Sequence, residues 1–275
     1  MLNFSGDTSA FIQQITSALH ERSRAGRVFP KDFTHSSSTS AVLFLLGRRF
    51  EWNRFSPEPC LILNRRSIKV KQPGDLCCPG GSIDPRLDSS LAKILYLPLS
   101  PLTRWPYWRL WHQNRPQELK WLALLFATCL RESFEEMRLN PFRLKFLGTL
   151  SSEQLIMFRR TIYPMVCWIS GQKRFFPNWE VEKIVYIPIK SLLDPSKYAR
   201  YRLQIETSRQ KQKYSDPVDY PCFIHERPDE FEVLWGATFR ITMAFLDIVF
   251  GFKPPNMESL SLVHGTLDKN YLTGT

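Results

Sequence analysis

No run of apolar residues in this 275-residue chain approaches the ~20 needed to cross a bilayer. The best candidate, Ile241 to Phe252, is short and contains Asp247. The N-terminus lacks a basic start followed by an apolar stretch, so a secretory leader is not expected. There is no CxxC pair among the six cysteines (Cys60, Cys77, Cys78, Cys129, Cys167, Cys222), and no histidine lies near one at zinc spacing. Reduced, mostly buried thiols in a cytoplasmic protein are the expectation, and adjacent Cys77 and Cys78 are poorly placed to pair with each other. The five histidines are scattered, which argues against a histidine metal centre. A GxSxG elbow is missing too, which removes the common serine-hydrolase arrangement. Acid is scarce: 26 Asp and Glu face 37 Lys and Arg, a net charge of +11. Such a field attracts polyanions without choosing among nucleic acid, anionic lipid and small phosphorylated molecules.

Against that basic background, Arg131-Glu132-Ser133-Phe134-Glu135-Glu136 gathers three carboxylates within five positions. At spacing i, i+3, i+4 they share one helical face and repel one another. A hard divalent cation would turn the repulsion into attraction, whereas the alternative is a solvated acidic face. The long helix expected over Trp121 to Leu139 is apolar in its first half and acidic in its second, with Asn140-Pro141 as its stop.

Aromatic content, 20 Phe, 9 Tyr and 8 Trp, suits one substantial core. Helical spacing predicts an N-terminal helix over Thr8 to Ser23. Short apolar runs predict strands at Ala41 to Leu46, Cys60 to Leu63, Phe146 to Leu150, Tyr163 to Ile169 and Val181 to Ile187. Gly74 to Gly81 reads as a strand ending in a glycine turn, where paired glycines allow close backbone approach. Phe231 to Phe250 reads as a closing helix, and Arg200 to Tyr220, with Arg209, Lys211 and Lys213, as a surface excursion. Leu91 to Glu118 is punctuated by proline and interleaves Trp105, Tyr107, Trp108 and Trp111 with Arg104, Arg109 and Arg115. Three roles compete for it: a nucleotide lid built on stacking, a surface resting on anionic lipid headgroups, or a flap whose tryptophans pack on the body or on a partner subunit. Strands alternating with a few helices make the chain α/β or α+β.

The glycine turn and the acidic helix together resemble the Nudix box, G-x5-E-x7-R-E-U-x-E-E-x-G-U. Gly81 stands for the first glycine, Arg131-Glu132 for the R-E pair and Glu135-Glu136 for the E-E pair. The box is split by about thirty extra residues after Asp88. Its first Glu falls by count on Leu87, beside Asp84 and Asp88, and its last glycine on Arg138, so a different cap is expected there. Leu61-Ile62-Leu63-Asn64-Arg65-Arg66-Ser67, Pro79-Gly80-Gly81, Asn178-Trp179-Glu180-Val181 and Trp235-Gly236-Ala237-Thr238 are similar to stretches of the coenzyme A pyrophosphatase branch. Leu63, Val70 and Cys78 depart from that branch's usual Thr, Arg and Phe.

The resemblance implies an α/β/α sandwich with a mixed sheet, carrying an N-terminal helix and a helical insertion. Residues 1–40 would form the helix and a loop, 41–252 the hydrolase domain with its insertion at about 89–118, and 253–275 a tail. It implies hydrolysis of a diphosphate linkage with Mg²⁺ or Mn²⁺, in coenzyme A, its acyl derivatives or another nucleotide diphosphate. Glu135 and Glu136 would be metal ligands, Glu132 a ligand or the base, and the Gly81 carbonyl a further ligand. Arg131 would hold a glutamate by a bidentate ion pair. Arg65, Arg66 and Gly80 would meet substrate phosphates, and Glu180 would serve as an outer ligand. A homodimer, and contact with nucleic acid or a membrane surface, stay open, as does a catalytically weak nucleic-acid-binding or regulatory module.

Overall fold

The computed structural model describes residues 7–30, 38–49, 58–155, 159–205, 218–228, 230–267 and 271. Arg209, Lys211 and Lys213 lie outside them. Helix α1 (Thr8–Arg24) begins where the Asp7 carboxylate accepts the Ser9 N–H, an N-terminal cap that satisfies an otherwise orphaned donor. Then come β1 (Thr39–Arg49), β2 (Glu58–Arg66), β3 (Leu76–Cys77) and β4 (Gly80–Ser82). The insertion supplies α2 (Leu87–Ile94) and α3 (Trp108–Asn114), and leads into α4 (Pro116–Met137). Strands β5 (Leu144–Thr149), β6 (Glu153–Leu155), β7 (Arg160–Ile169) and β8 (Val181–Pro188) follow, then the short α5 (Ile189–Leu192). The chain continues through β9 (Tyr198–Ile205), β10 (Asp219–Arg227), β11 (Glu230–Leu234), α6 (Gly236–Phe250) and β12 (Leu262–Leu267).

The larger sheet is mixed, in the order β3-β2-β1-β7-β5, with β1 and β7 parallel and β4, β6 and β8 paired at its margins. Strand periodicity divides its side chains between two cores. Phe44 and Leu46 of β1, Leu61 and Leu63 of β2 and Trp168 of β7 join one core with α1 and α6. Ala41, Leu43 and Leu45, with Ile62, Met165 and Cys167, join the other core under α4. Because both faces are covered, β1 and β2 read as unbroken apolar runs rather than alternating ones. The result is the α/β/α sandwich with a mixed sheet that the family resemblance implied.

Several expectations are corrected. Helix α4 starts at Pro116, five residues before Trp121, because proline suits the first helical position and the insertion gives the first turns a surface to bury. Phe231 to Leu234 is strand β11, not helix; Glu232 and Leu234 are buried while Phe231 is exposed, and α6 starts only at Gly236. The segment expected as a tail contributes β12, which runs parallel to β9 in a second sheet of order β11-β10-β9-β12. Part of the Arg200 to Tyr220 excursion is likewise β9 and β10.

The insertion packs on the body. Trp105 and Trp111 are buried, and the Trp105 indole donates to the Leu147 carbonyl at 3.3 Å. Trp105 meets Phe146 and Trp111 edge to face, and His20 of α1 stacks on Tyr107 with ring centroids 3.5 Å apart. Arg115 donates to the Ser23 and Gly26 carbonyls. These contacts favour the packed flap over a free lid. All six cysteines are free thiols, and among the described residues no helix is long and apolar enough to cross a membrane.

Candidate active site

The last two turns of α4 carry Arg131 to Glu136, and what lies opposite them is fixed by the sheet. Gly80 and Gly81 of β4 pair with Val42 and Ala41 of β1. Gly80 sits at φ +146, where an added Cβ would meet the Ala41 carbonyl at 2.3 Å. At Gly81 an added Cβ would come within 2.5 Å of the Glu132 carboxylate. The glycine pair therefore lets α4 approach the strand until a carboxylate touches backbone.

Arg131 organises the helix end. Its Nε donates to Asp88 Oδ1 at 2.7 Å, and its Nη2 to Asp88 Oδ2 at 3.1 Å and to the Ser82 carbonyl at 3.0 Å. The remaining nitrogen, Nη1, reaches Glu132 at 3.0 Å and Glu135 at 3.5 Å. The bidentate partner expected for Arg131 was a glutamate; it is Asp88, one position beyond the counted Leu87. Asp88 is fully buried and also accepts from the Thr128 hydroxyl and the Asp84 N–H. Leu87 points outward instead, because the first turn of α2 buries its neighbour against α4.

Glu136 is buried. Its Oε2 accepts from the Asn64 amide at 2.9 Å and from the Gly80 N–H at 3.2 Å. Among the described residues it has no ion-pair partner. Burial pushes its carboxyl up to about 8, with the nearby charge of Glu132 adding to the effect and the Gly80 hydrogen bond opposing it. Burial also raises Glu132, against the pull of Arg131. Glu135 is different: its side chain is 52% exposed. Glu180 lies close enough for its charge to raise Glu136 further, and the Asn178 N–H donates to the Glu136 carbonyl, tying that loop to the helix end.

The two arginines expected at phosphates part company. Arg65 is committed to Glu182 at 3.0 Å and lies 3.6 Å from buried Glu232. Arg66, two residues after Asn64 on β2, acts electrostatically on Glu136 and donates to the Lys71 carbonyl. Asn64 and Arg66 thus act on Glu136, while Arg65 turns to Glu182. The different cap expected at Arg138 is also corrected: Arg138 takes the left-handed conformation a glycine would, at φ +54, with its N–H on the Phe134 carbonyl and its guanidinium 5.0 Å over the Phe134 ring.

Sequence reasoning missed Asn64 as a contributor and gave Asp88 no role. An amide directly continuing the apolar strand run Cys60 to Leu63 was the available signal for the first. Oxygen donors alone, from Glu132, Glu135, Glu136 and the Gly81 backbone, fit a hard divalent cation in chemical type. Glu136, buried beside a second carboxylate, has the electrostatic need for one. Among the described residues no three acidic, histidine or cysteine side chains converge as a ready-made cage, since Arg131 draws Glu132 and Glu135 to itself.

No family model and no curated protein sequence matches the chain. Solved structures do. A Nudix hydrolase from M. smegmatis is 13% identical over 61% of this chain and 81% of its own, with a TM-score of 0.36. A C. elegans Ap4A hydrolase is 10% identical over 55% and 80%, with a TM-score of 0.34. A MutT/nudix family protein from Enterococcus faecalis is 10% identical over 90% and 75%, with a TM-score of 0.39.

Proposed function

We propose that the chain is a Nudix-type hydrolase that uses Mg²⁺ or Mn²⁺ to cleave a diphosphate linkage in a nucleotide-type substrate. The observation that carries this reading is the buried Arg131–Asp88 pair. It bridges the two halves of a motif separated by the insertion, and with them it sets Glu132 against Gly81.

Glu132, Glu135 and Glu136 would hold the ion, with the Gly81 carbonyl beside them. When bound, the ion would neutralise charge on the phosphoryl oxygens and ease deprotonation of the attacking water. The chain's own residues do the positioning. Arg131, locked by Asp88, orients Glu132 and Glu135. Asn64 and the Gly80 N–H hold Glu136. Glu132, with its affinity for protons raised by burial, suits the role of a base that takes the water's proton. Arg66 brings positive charge to the same side for a substrate phosphate.

Coenzyme A and its acyl derivatives are the substrates to test first. The stretch Leu61 to Gly81, which carries that resemblance, is also the stretch that supplies Asn64 and Gly80 to Glu136. Release of phosphate-containing products from coenzyme A, ADP-ribose and dinucleoside polyphosphates, with and without Mg²⁺, tests the reading. Metal-dependent turnover lost in Glu136→Gln is the expected result. Absence of turnover on every substrate, together with salt-sensitive nucleic-acid binding, would replace the hydrolase with a binding module.

A further inference from the structure

The part of the insertion facing away from the body has a composition that catalysis does not explain. Its tip, Leu97-Pro98-Leu99-Ser100, carries Leu99 at 81% exposure and φ +67, a left-handed conformation that is costly for a leucine. The turn is held in that shape: Ser100 Oγ donates to the Leu95 carbonyl at 2.6 Å, and Thr103 Oγ1 to the Leu97 carbonyl at 3.0 Å. A strained backbone thus presents an apolar side chain to water. Leu97 and Ile94 are each more than half exposed, and the Leu97 N–H donates to the Ile94 carbonyl, which keeps the three together.

Charge completes the pattern. From Pro85 to Gln117 the only carboxylate is Asp88, and it is buried against Arg131. On α2 the inward-facing stripe is buried Asp88 with half-buried Leu91 and Ala92, so helical spacing places Arg86 and Lys93 on the opposite, exposed face. Arg109 lies beside Tyr96 in a shallow cleft at the foot of the tip. Asp84 offsets the charge of Arg86, but Lys93 and Arg109 are exposed cations. Apolar side chains on a rigid turn beside them match a surface of acyl chains under anionic headgroups. An acidic protein partner would supply the charge but no reason for a strained leucine at the tip of an apolar cluster.

We propose that this face docks on an anionic lipid surface, with Ile94, Leu97 and Leu99 entering the acyl boundary and Lys93 and Arg109 against the headgroups. The test is co-sedimentation of the full chain with vesicles of phosphatidylcholine alone and of phosphatidylcholine mixed with phosphatidylglycerol, at low and high salt. Binding is expected only to the mixed vesicles and is expected to weaken as salt rises. Leu99→Gly should lower the vesicle-bound to free ratio roughly tenfold while raising the melting temperature, since glycine relieves the backbone and removes the inserted side chain. Lys93→Glu with Arg109→Glu should abolish binding with melting unchanged. Failure of the wild type to sediment, equal binding to neutral vesicles, or undiminished binding by Leu99→Gly would each overturn the proposal. So would a dimer, seen by light scattering, that Leu97→Ser dissociates, since it would assign the face to a second copy.

Discussion

Asp88 and Arg131 stand 43 residues apart in sequence and share two hydrogen bonds, of 2.7 and 3.1 Å, with Asp88 wholly removed from solvent. The pair fastens the first turn of α2 to the C-terminal end of α4 and brings two stretches distant in sequence together. Asp88→Ala leaves a guanidinium short of its main partner in a mostly buried position, so a loss of about 3 kcal/mol in urea unfolding is expected. The double variant with Arg131→Ala should lose less than the sum of the two single losses, a coupling that a thermodynamic cycle reads directly.

Gly81→Ala tests the close approach. The added methyl meets the end of a flexible side chain, so the fold should persist while the Glu132 carboxylate moves. Turnover should fall roughly a hundredfold with the melting temperature little changed. An alanine variant as active as wild type would show that the contact between Gly81 and Glu132 is incidental.

Glu136→Gln separates stability from activity. A buried carboxylate without a cation is costly, and glutamine keeps the shape while removing the charge. In metal-free buffer the variant should be more stable than wild type by about 1–2 kcal/mol, and inactive with metal present. A less stable variant would mean that the glutamate is satisfied in a way its two hydrogen bonds do not provide.

Two buried groups away from the site make opposite contributions to the pH dependence of stability. Asp75, which accepts from Tyr271 and Trp235, is pushed by burial from 3.8 up to about 6. Between those values the folded chain keeps a proton the unfolded chain has released, so this contribution is full below 3.8 and lost as pH rises toward 6. His225 is lowered by burial, with Arg227 adding to it, from 6.5 to about 4. Its contribution is full above 6.5 and lost as pH falls toward 4. At roughly 1.4 kcal/mol per unit, each is worth about 3 kcal/mol, and between pH 4 and 6 their slopes oppose each other. Glu136→Gln removes the fall with pH that the raised Glu136 carboxyl adds over the same range. In that background Asp75→Asn should expose a stability that climbs from pH 4 to 6.5, and His225→Gln one that declines from pH 4 to 6, both measurable by urea unfolding.

Arg138→Gly places the residue that the left-handed cap favours at the end of α4. Relief of the backbone outweighs loss of the contact with Phe134, and a gain of about 1 kcal/mol in thermal unfolding is expected. A loss would mean that the guanidinium over the ring contributes more than the backbone strain costs.

Much was written in the sequence because it is local. The i, i+3, i+4 spacing of Glu132, Glu135 and Glu136 assigns them to one helical face without reference to the rest of the chain, and Pro79-Gly80-Gly81 marks a turn wherever it lies. Apolar runs such as Ala41 to Leu46 announce strands covered on both faces. What depended on distant contacts was not legible. Whether Asp88 or Leu87 faces α4 is a matter of helix phase, set by how α2 packs. Arg65 and Arg66 are neighbours in composition and charge, and only strand pairing sends one to Glu182 and the other toward Glu136. Phe231 to Leu234 became strand because β10 offered it a partner, and β12 formed because β9 did. The sequence by itself determined the acidic stripe, the glycine turn and the α/β class, since each follows from spacing along a regular backbone. The tertiary structure decided that the stripe and the turn meet, by burying Asp88 against Arg131 where neither charge can leave the other without being stranded away from water.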